Sequence, residues 1–173
     1  ESVAIVGFGI RDEDPDNQLG WLETQLKRPG AKLVFCHYPI IPARDGGFCK
    51  SWEYKRIGTV IPGLKSLISD PDHRVKAYFC GHIHINSKRS LGNTSYQVVN
   101  GATGLSTVCY KRIDISDQTI EVETVRIPGY NGLYGKIMNP GRSIDRLHPD
   151  TESYHWGTEE ERNFRISITS DDR

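Results

Sequence analysis

The chain has 173 residues, enough for one domain with a core of its own. Its 22 Lys+Arg balance 22 Asp+Glu, so the basic excess that marks a nucleic-acid-binding surface is missing. With 36% hydrophobic and 25% charged residues the composition is that of an ordinary soluble protein, and no apolar run approaches the ~20 residues of a membrane span.

In chain order, "SVAIVGFGI" (2–10) is short, rich in Val and Ile and without helical period, which predicts a buried strand. A loop, "RDEDPD", follows, and Asp16 or Asn17 is placed to cap a helix whose Leu19, Leu22 and Leu26 recur at helical spacing. Pro29-Gly30 ends that helix, and "AKLVFC" (31–36) reads as a second buried strand. "HYPIIPARDGGFCKS" is a long irregular connection. Residues 52–69 read as helix in two pieces, with Pro62 the first residue of the second. "RVKAYFC" (74–80) is a third strand. Strand, helix, strand, helix, strand predicts parallel pairing with crossover helices.

Past residue 92 the pattern changes. "TSYQVVN" (94–100) and "LSTVCYKRIDI" (105–115) are strands with short connections, and "SDQ" turns the chain into "TIEVETVRI" (119–127). Ile113 and Ile115 on one arm face Ile120, Val122 and Val125 on the other, the signature of a hairpin. The fold class is therefore α/β with a mixed sheet that becomes antiparallel at its end. Residues 1–127 form the domain portion. Residues 128–173 form an irregular extension, with an edge strand expected at 163–169.

The four cysteines lack metal-site spacing; Cys36, Cys80 and Cys109 sit in or at the ends of apolar strands and read as buried free thiols, which suits a reducing compartment. The chain opens at Glu1, directly into a strand, as a processed product or a fragment of a longer chain would. "VAIVGFGIRDED" begins like a dinucleotide fingerprint, but the third small residue is replaced by Asp12 and no helix follows at once to receive a phosphate. Asp12, Glu13, Asp14 and Asp16 read as a solvated acidic loop, and His73, His148 and His155 as solvated side chains in polar loops.

The remaining histidines stand where a site belongs. "LVFC" runs into His37, and "AYFC" runs into Gly81, His82, Ile83 and His84. Ligands of a parallel sheet bind beyond the carboxyl ends of its strands. Side chains two apart on an extended segment point the same way, with Cα atoms about 6.5–7 Å apart. Imidazoles so placed can share one metal or serve two ions about 3.5–4 Å apart. Gly81 is expected to let the backbone turn tightly beneath them.

At these residues the chain resembles the second half of a calcineurin-like metallophosphoesterase. The resemblance rests on "LGWLETQL", on "LVFCHYP" with His37-Tyr38-Pro39, on "YFCGHIHIN", and on "YQVVNGATG" with the terminal hairpin, and it covers roughly residues 2–127. It implies two mixed sheets packed face to face with helices outside. It also implies two metal ions, Mn, Fe, Zn or Ni, with His37 and His82 on one and His84 on the other. The implied chemistry is hydrolysis of a phosphoester, a phosphatase or phosphodiesterase reaction in which metal-bound hydroxide attacks phosphorus. Arg44 and Lys50, in the loop after His37, are candidates for touching that substrate.

The departures bound the resemblance. The family also requires Asp-x-His, Gly-Asp and Asn-His motifs; none of the 17 glycines here precedes Asp, and neither of the other motifs occurs. The bridging carboxylate and the proton-donating histidine are therefore expected upstream of residue 1, in a missing N-terminal half, and no catalytic residue is assigned within the chain. Exposed apolar surface, covered by that half or by self-association, is the corollary. Two other readings stay open: a non-catalytic metal-binding or interaction module, and a mononuclear zinc hydrolase using the three histidines alone.

Overall fold

The computed structural model describes residues 2–9, 15–44, 60–101, 108–128 and 155–169. Strands β1 (Val3–Gly7), β2 (Ala31–Phe35) and β3 (Val75–Cys80) lie parallel and side by side, as their apolar runs and the intervening helices dictate. Helix α1 (Pro15–Leu26) connects the first two strands. Proline, with its fixed φ and missing N–H, suits the first turn. Asp16 and Asn17 thus lie inside the helix, not before it as expected for caps. Helix α2 (Val60–Ser69) precedes β3, with Pro62 third rather than first, still within the opening turn. The expected helical piece at 52–59 lies outside the described residues.

Beyond β3 the chain does what its apolar pattern concealed. It passes to a polar strand, β4 (Ser87–Ser90), then turns back to β5 (Tyr96–Val99), which inserts between β3 and β4. β5 runs parallel to β3, and β4 is the antiparallel edge, so the order is β1-β2-β3-β5-β4. The change to antiparallel pairing therefore comes before the expected place. A second sheet holds the predicted hairpin, β6 (Cys109–Ile115) with β7 (Thr119–Arg126), and β8 (Phe164–Ser167) added at its edge. A single-turn helix, α3 (Glu159–Arg162), precedes β8.

Alternation along each strand sorts the core into two layers. Val6, Val34, Tyr78 and Val99 pack with Leu22 and Leu26 of α1 and Leu64 and Ile68 of α2. Ala31, Leu33, Ala77, Phe79 and Val98 point the other way, onto Ile120, Val122 and Ile166 of the second sheet. The result is a mixed α/β architecture: helices on one face of the first sheet, the second sheet on the other. Both layers end at β1. Val3 packs against the layer between the sheets, whereas Ile5, two residues on along the same face, is 68% exposed on an edge strand. Among the described residues no helix is long and apolar enough to cross a membrane.

Candidate functional site

β2 and β3 are in register at Phe35↔Phe79, whose rings stack 4.9 Å apart. Each chain therefore leaves the sheet at the same level, one into His37 and the other into Gly81-His82. Neighbouring parallel strands lie about 4.8 Å apart, which brings the two imidazoles together. His37 Nε2 is 3.2 Å from His82 Nδ1, and the rings meet edge to face at 5.1 Å. Tyr38 closes the group, its ring 4.8 Å from both imidazoles.

The loop carrying His37 is fixed from beneath. Gln97 of β5 is buried on the helix side, where its Oε1 accepts the N–H groups of Ile40 (2.7 Å) and Ile41 (3.0 Å) and its Nε2 donates to the carbonyl of Ile41 (2.8 Å). Tyr78 donates its hydroxyl to the carbonyl of Tyr38 at 2.7 Å, and Ser87 donates to that of Ala43 at 2.6 Å. Buried side chains thus do for this irregular segment what a ladder does for a strand.

The segment 81–86 departs from the expected extended geometry. His82 has φ +68° and His84 φ +58°, whereas Gly81, expected to make the turn, is not among the positive-φ residues. The N–H of Ile83 bonds the carbonyl of Gly81 at 2.8 Å, closing a three-residue turn with His82 at its centre, the rare and strained hand of the γ-turn. Left-handed backbone costs a non-glycine residue of order 1–3 kcal/mol and persists only where the surroundings hold it. Here Ile83 and Ile85 are buried on one side while His82 and His84 stay partly exposed on the other. The expected alternation survives without the expected conformation.

His84 is half-buried. Burial, first, and then the proximity of His82, His37 and His155, hold its imidazole below the ordinary histidine range, so the neutral, ligand-competent form is favoured. Nitrogens bound at about 2.0–2.1 Å to one tetrahedral ion stand about 3.3 Å apart, so the His37–His82 spacing fits two positions on one metal. His84 does not complete the set: among the described residues no group of three or more His, Cys, Asp or Glu side chains is arranged to hold a metal ion. The residues present fit part of a metal shell.

The other expectations fare differently. Arg44 pairs with Glu161, Nη1 to Oε1 at 2.7 Å, and its Nη2 donates to the carbonyl of Asn86 at 2.8 Å, so its described contacts tie segments of the fold together. Lys50, Cys49, His148 and Asp12 to Asp14 lie outside the described residues. Cys36, Cys80 and Cys109 are free thiols, the last two buried, as expected. His73 and His155 are buried, not solvated: His73 Nδ1 donates to the carbonyl of Leu67 at 2.8 Å, and His155, 4% exposed, lies against the carbonyl of His84 at 3.4 Å. Polar neighbours in sequence say nothing about which backbone carbonyl a loop histidine will find.

One part of the site is absent from the sequence reading altogether. Residues 155–162 run as a strap along the far side of the histidine segment, where the carbonyl of His155 accepts the N–H of Asn86 at 2.8 Å. The strap ends in α3, whose Thr158 and Glu161 form a reciprocal capping box. That Thr-x-x-Glu spacing was the one local signal available for it.

No protein-family model matches the chain, and no curated protein does. Among solved structures, a crystal structure of a dimetal phosphatase from Danio rerio is similar at 16% identity and a TM-score of 0.41, over 63% of this chain and 34% of that one. The chain thus spans about a third of the length of that phosphatase.

Proposed function

We propose that this chain is the histidine-bearing portion of a metal-dependent phosphoester hydrolase. The observation that supports this reading best is the pair His37 and His82, delivered by adjacent parallel strands with ring nitrogens 3.2 Å apart. The pair lies on the strand-end His-Tyr-Pro and Gly-His-x-His segments on which the sequence resemblance rests. His37 and His82 would hold one ion, and His84 would take a second. Two such ions would supply the polarising charge and the activated water of phosphoester hydrolysis. The carboxylate ligands and the proton donor belong to a companion segment. The uncovered Ile5 on the edge strand β1 is the surface that such a segment, or a second copy, would cover.

The test is uptake and turnover by the full chain. With Mn²⁺ or Zn²⁺ supplied, equilibrium dialysis is expected to show bound metal that His82→Ala loses. Hydrolysis of an aryl phosphate is expected only when the companion segment is supplied in trans. Turnover by the chain alone with one equivalent of zinc would favour the mononuclear enzyme. Metal uptake unaffected by either His37→Ala or His82→Ala would remove the reading.

A further inference from the structure

A strained turn needs something to hold it, and here the holding groups form a continuous chain of bonds. Asn86, the last residue of the histidine segment, is fully buried with all its polar groups engaged. Its N–H goes to the carbonyl of His155 at 2.8 Å, and its carbonyl accepts from Arg44 Nη2 at 2.8 Å. Its side-chain Oδ1 accepts the N–H of Gly101 at 3.2 Å, and its Nδ2 lies 3.7 Å from the sulfur of Cys109. Arg44 is fixed in turn by Glu161 Oε1 at 2.7 Å, and Glu161 uses its other oxygen, Oε2, to accept the N–H of Thr158 at 2.8 Å. One carboxylate therefore caps α3 and orients the guanidinium that grips the histidine segment.

The strap is itself anchored on the second sheet. Asn163 Oδ1 accepts the N–H of Thr124 at 2.9 Å, the carbonyl of Arg162 accepts the Thr124 hydroxyl at 2.9 Å, and the guanidinium groups of Arg126 and Arg162 both lie over the ring of Trp156, at 4.1 and 5.0 Å. At Gly157, φ +77°, a Cβ would come within 2.6 Å of the carbonyl of Asn86, so the strap approaches the segment as closely as a backbone can. We propose that Arg44 and Glu161 are positioning residues: through the carbonyl of Asn86 they keep His82 and His84 in left-handed backbone, with their imidazoles presented at the sheet edge. Their described bonds reach the histidine segment at the carbonyl of Asn86, so they act through the backbone. Arg44 thereby acquires a role distinct from the substrate contact expected of it. The metal-holding reading enters only through the second measurement below.

The first measurement needs no metal. In the full chain, Arg44→Met and Glu161→Gln are expected to move the imidazole resonances of His82 and His84. The same variants are expected to speed amide exchange at Ile83 and Ile85 by about tenfold or more, with Ile120 and Val122 of β7 unchanged. Arg44→Lys is expected to restore part of the effect, since an ammonium can meet Glu161 but lacks the fork that also reaches Asn86. Wild-type resonances and exchange in Arg44→Met and Glu161→Gln would overturn the proposal. The second measurement uses Co²⁺ as probe: affinity is expected to fall about 10-fold in Arg44→Met, as for other groups that orient ligands from behind. If the wild-type chain takes up no cobalt, the metal-holding reading fails, and positioning is decided by the resonances and exchange alone. Cobalt bound by Arg44→Met with unchanged affinity and spectrum, while His82→Ala loses it, would overturn the positioning role and leave the metal reading standing.

Discussion

The β6–β7 hairpin and the histidine segment 81–86 are held by opposite means. The hairpin runs in unbroken register from Cys109↔Arg126 to Ile115↔Ile120, with Ile120 and Val122 buried against the first sheet. The histidine segment has left-handed residues at two of its six positions, and beside the Ile83–Gly81 bond within it, it is held at Asn86 by Arg44, His155 and Gly101, from outside the segment. A ladder is stabilised by what repeats along it. A functional turn is stabilised by what reaches it. The two regions should therefore answer differently to the same kind of damage.

The largest effect is expected in the ladder. Ile120 is fully buried between the sheets, so Ile120→Ala loses both apolar transfer energy and packing, at about 3 kcal/mol. Urea unfolding should report it as one global transition. Gln97→Leu, at about 2 kcal/mol, tests the other mode: it leaves the N–H groups of Ile40 and Ile41 and a carbonyl of Ile41 without the partner described here. Its signature should be regional, with faster amide exchange through residues 37–44 and ring-contact shifts at His37. A purely global response from Gln97→Leu would erase the distinction between the two regions.

That distinction also decides what could be read in advance. The strands β2, β3 and β7 announce themselves through Val, Ile and Phe, because their burial is a local, repeating property; β1 has the same composition, but as an edge strand it buries only Val6, not the whole run as expected. β4 is Ser-Lys-Arg-Ser; it is a strand because β5 offers it an edge, and nothing apolar in it says so. His37, His82 and His84 were legible as candidates from their places at strand ends. The geometry of the segment was not: its strain is borne by Asn86, and the carbonyl of Asn86 is gripped by an arginine whose carboxylate partner lies 117 positions further along. Such a bond has no period.

A smaller effect isolates a charge within the regular sheet. Burial pushes the Lys111 amine down to about 8, against an ordinary 10.5, with Cys109 and Glu161 opposing that shift and Arg162 adding to it. Below pH 8 the ammonium is present in both folded and unfolded chains, and its burial penalty is fully felt. Between pH 8 and 10.5 the unfolded chain holds the proton that the folded chain has released, so stability rises with pH through that window. Lys111→Met should be more stable than wild type by about 1.5 kcal/mol at pH 7. The difference in thermal or urea midpoint should narrow as the pH approaches 10.5. A gap independent of pH would mean that packing, not the charge, is what the substitution changed.

The smallest effect has the opposite sign to an ordinary substitution in a sheet. Glycine placed within a strand costs roughly 0.5–1 kcal/mol relative to alanine, because it loses more freedom on folding and packs nothing. At His82, φ +68°, the folded chain already bears the strain that a Cβ imposes in left-handed backbone, so His82→Gly trades that strain against the extra freedom of the unfolded chain. The expected outcome is a midpoint unchanged or raised by about 0.5 kcal/mol. The same variant should lose metal, since the His37–His82 nitrogen pair is gone. Stability kept while binding is lost would mean that an imidazole is held at this position against the preference of its own backbone. A clear loss of stability in His82→Gly would mean instead that the imidazole supports the fold, and the contrast between ladder and turn would have to be redrawn around it.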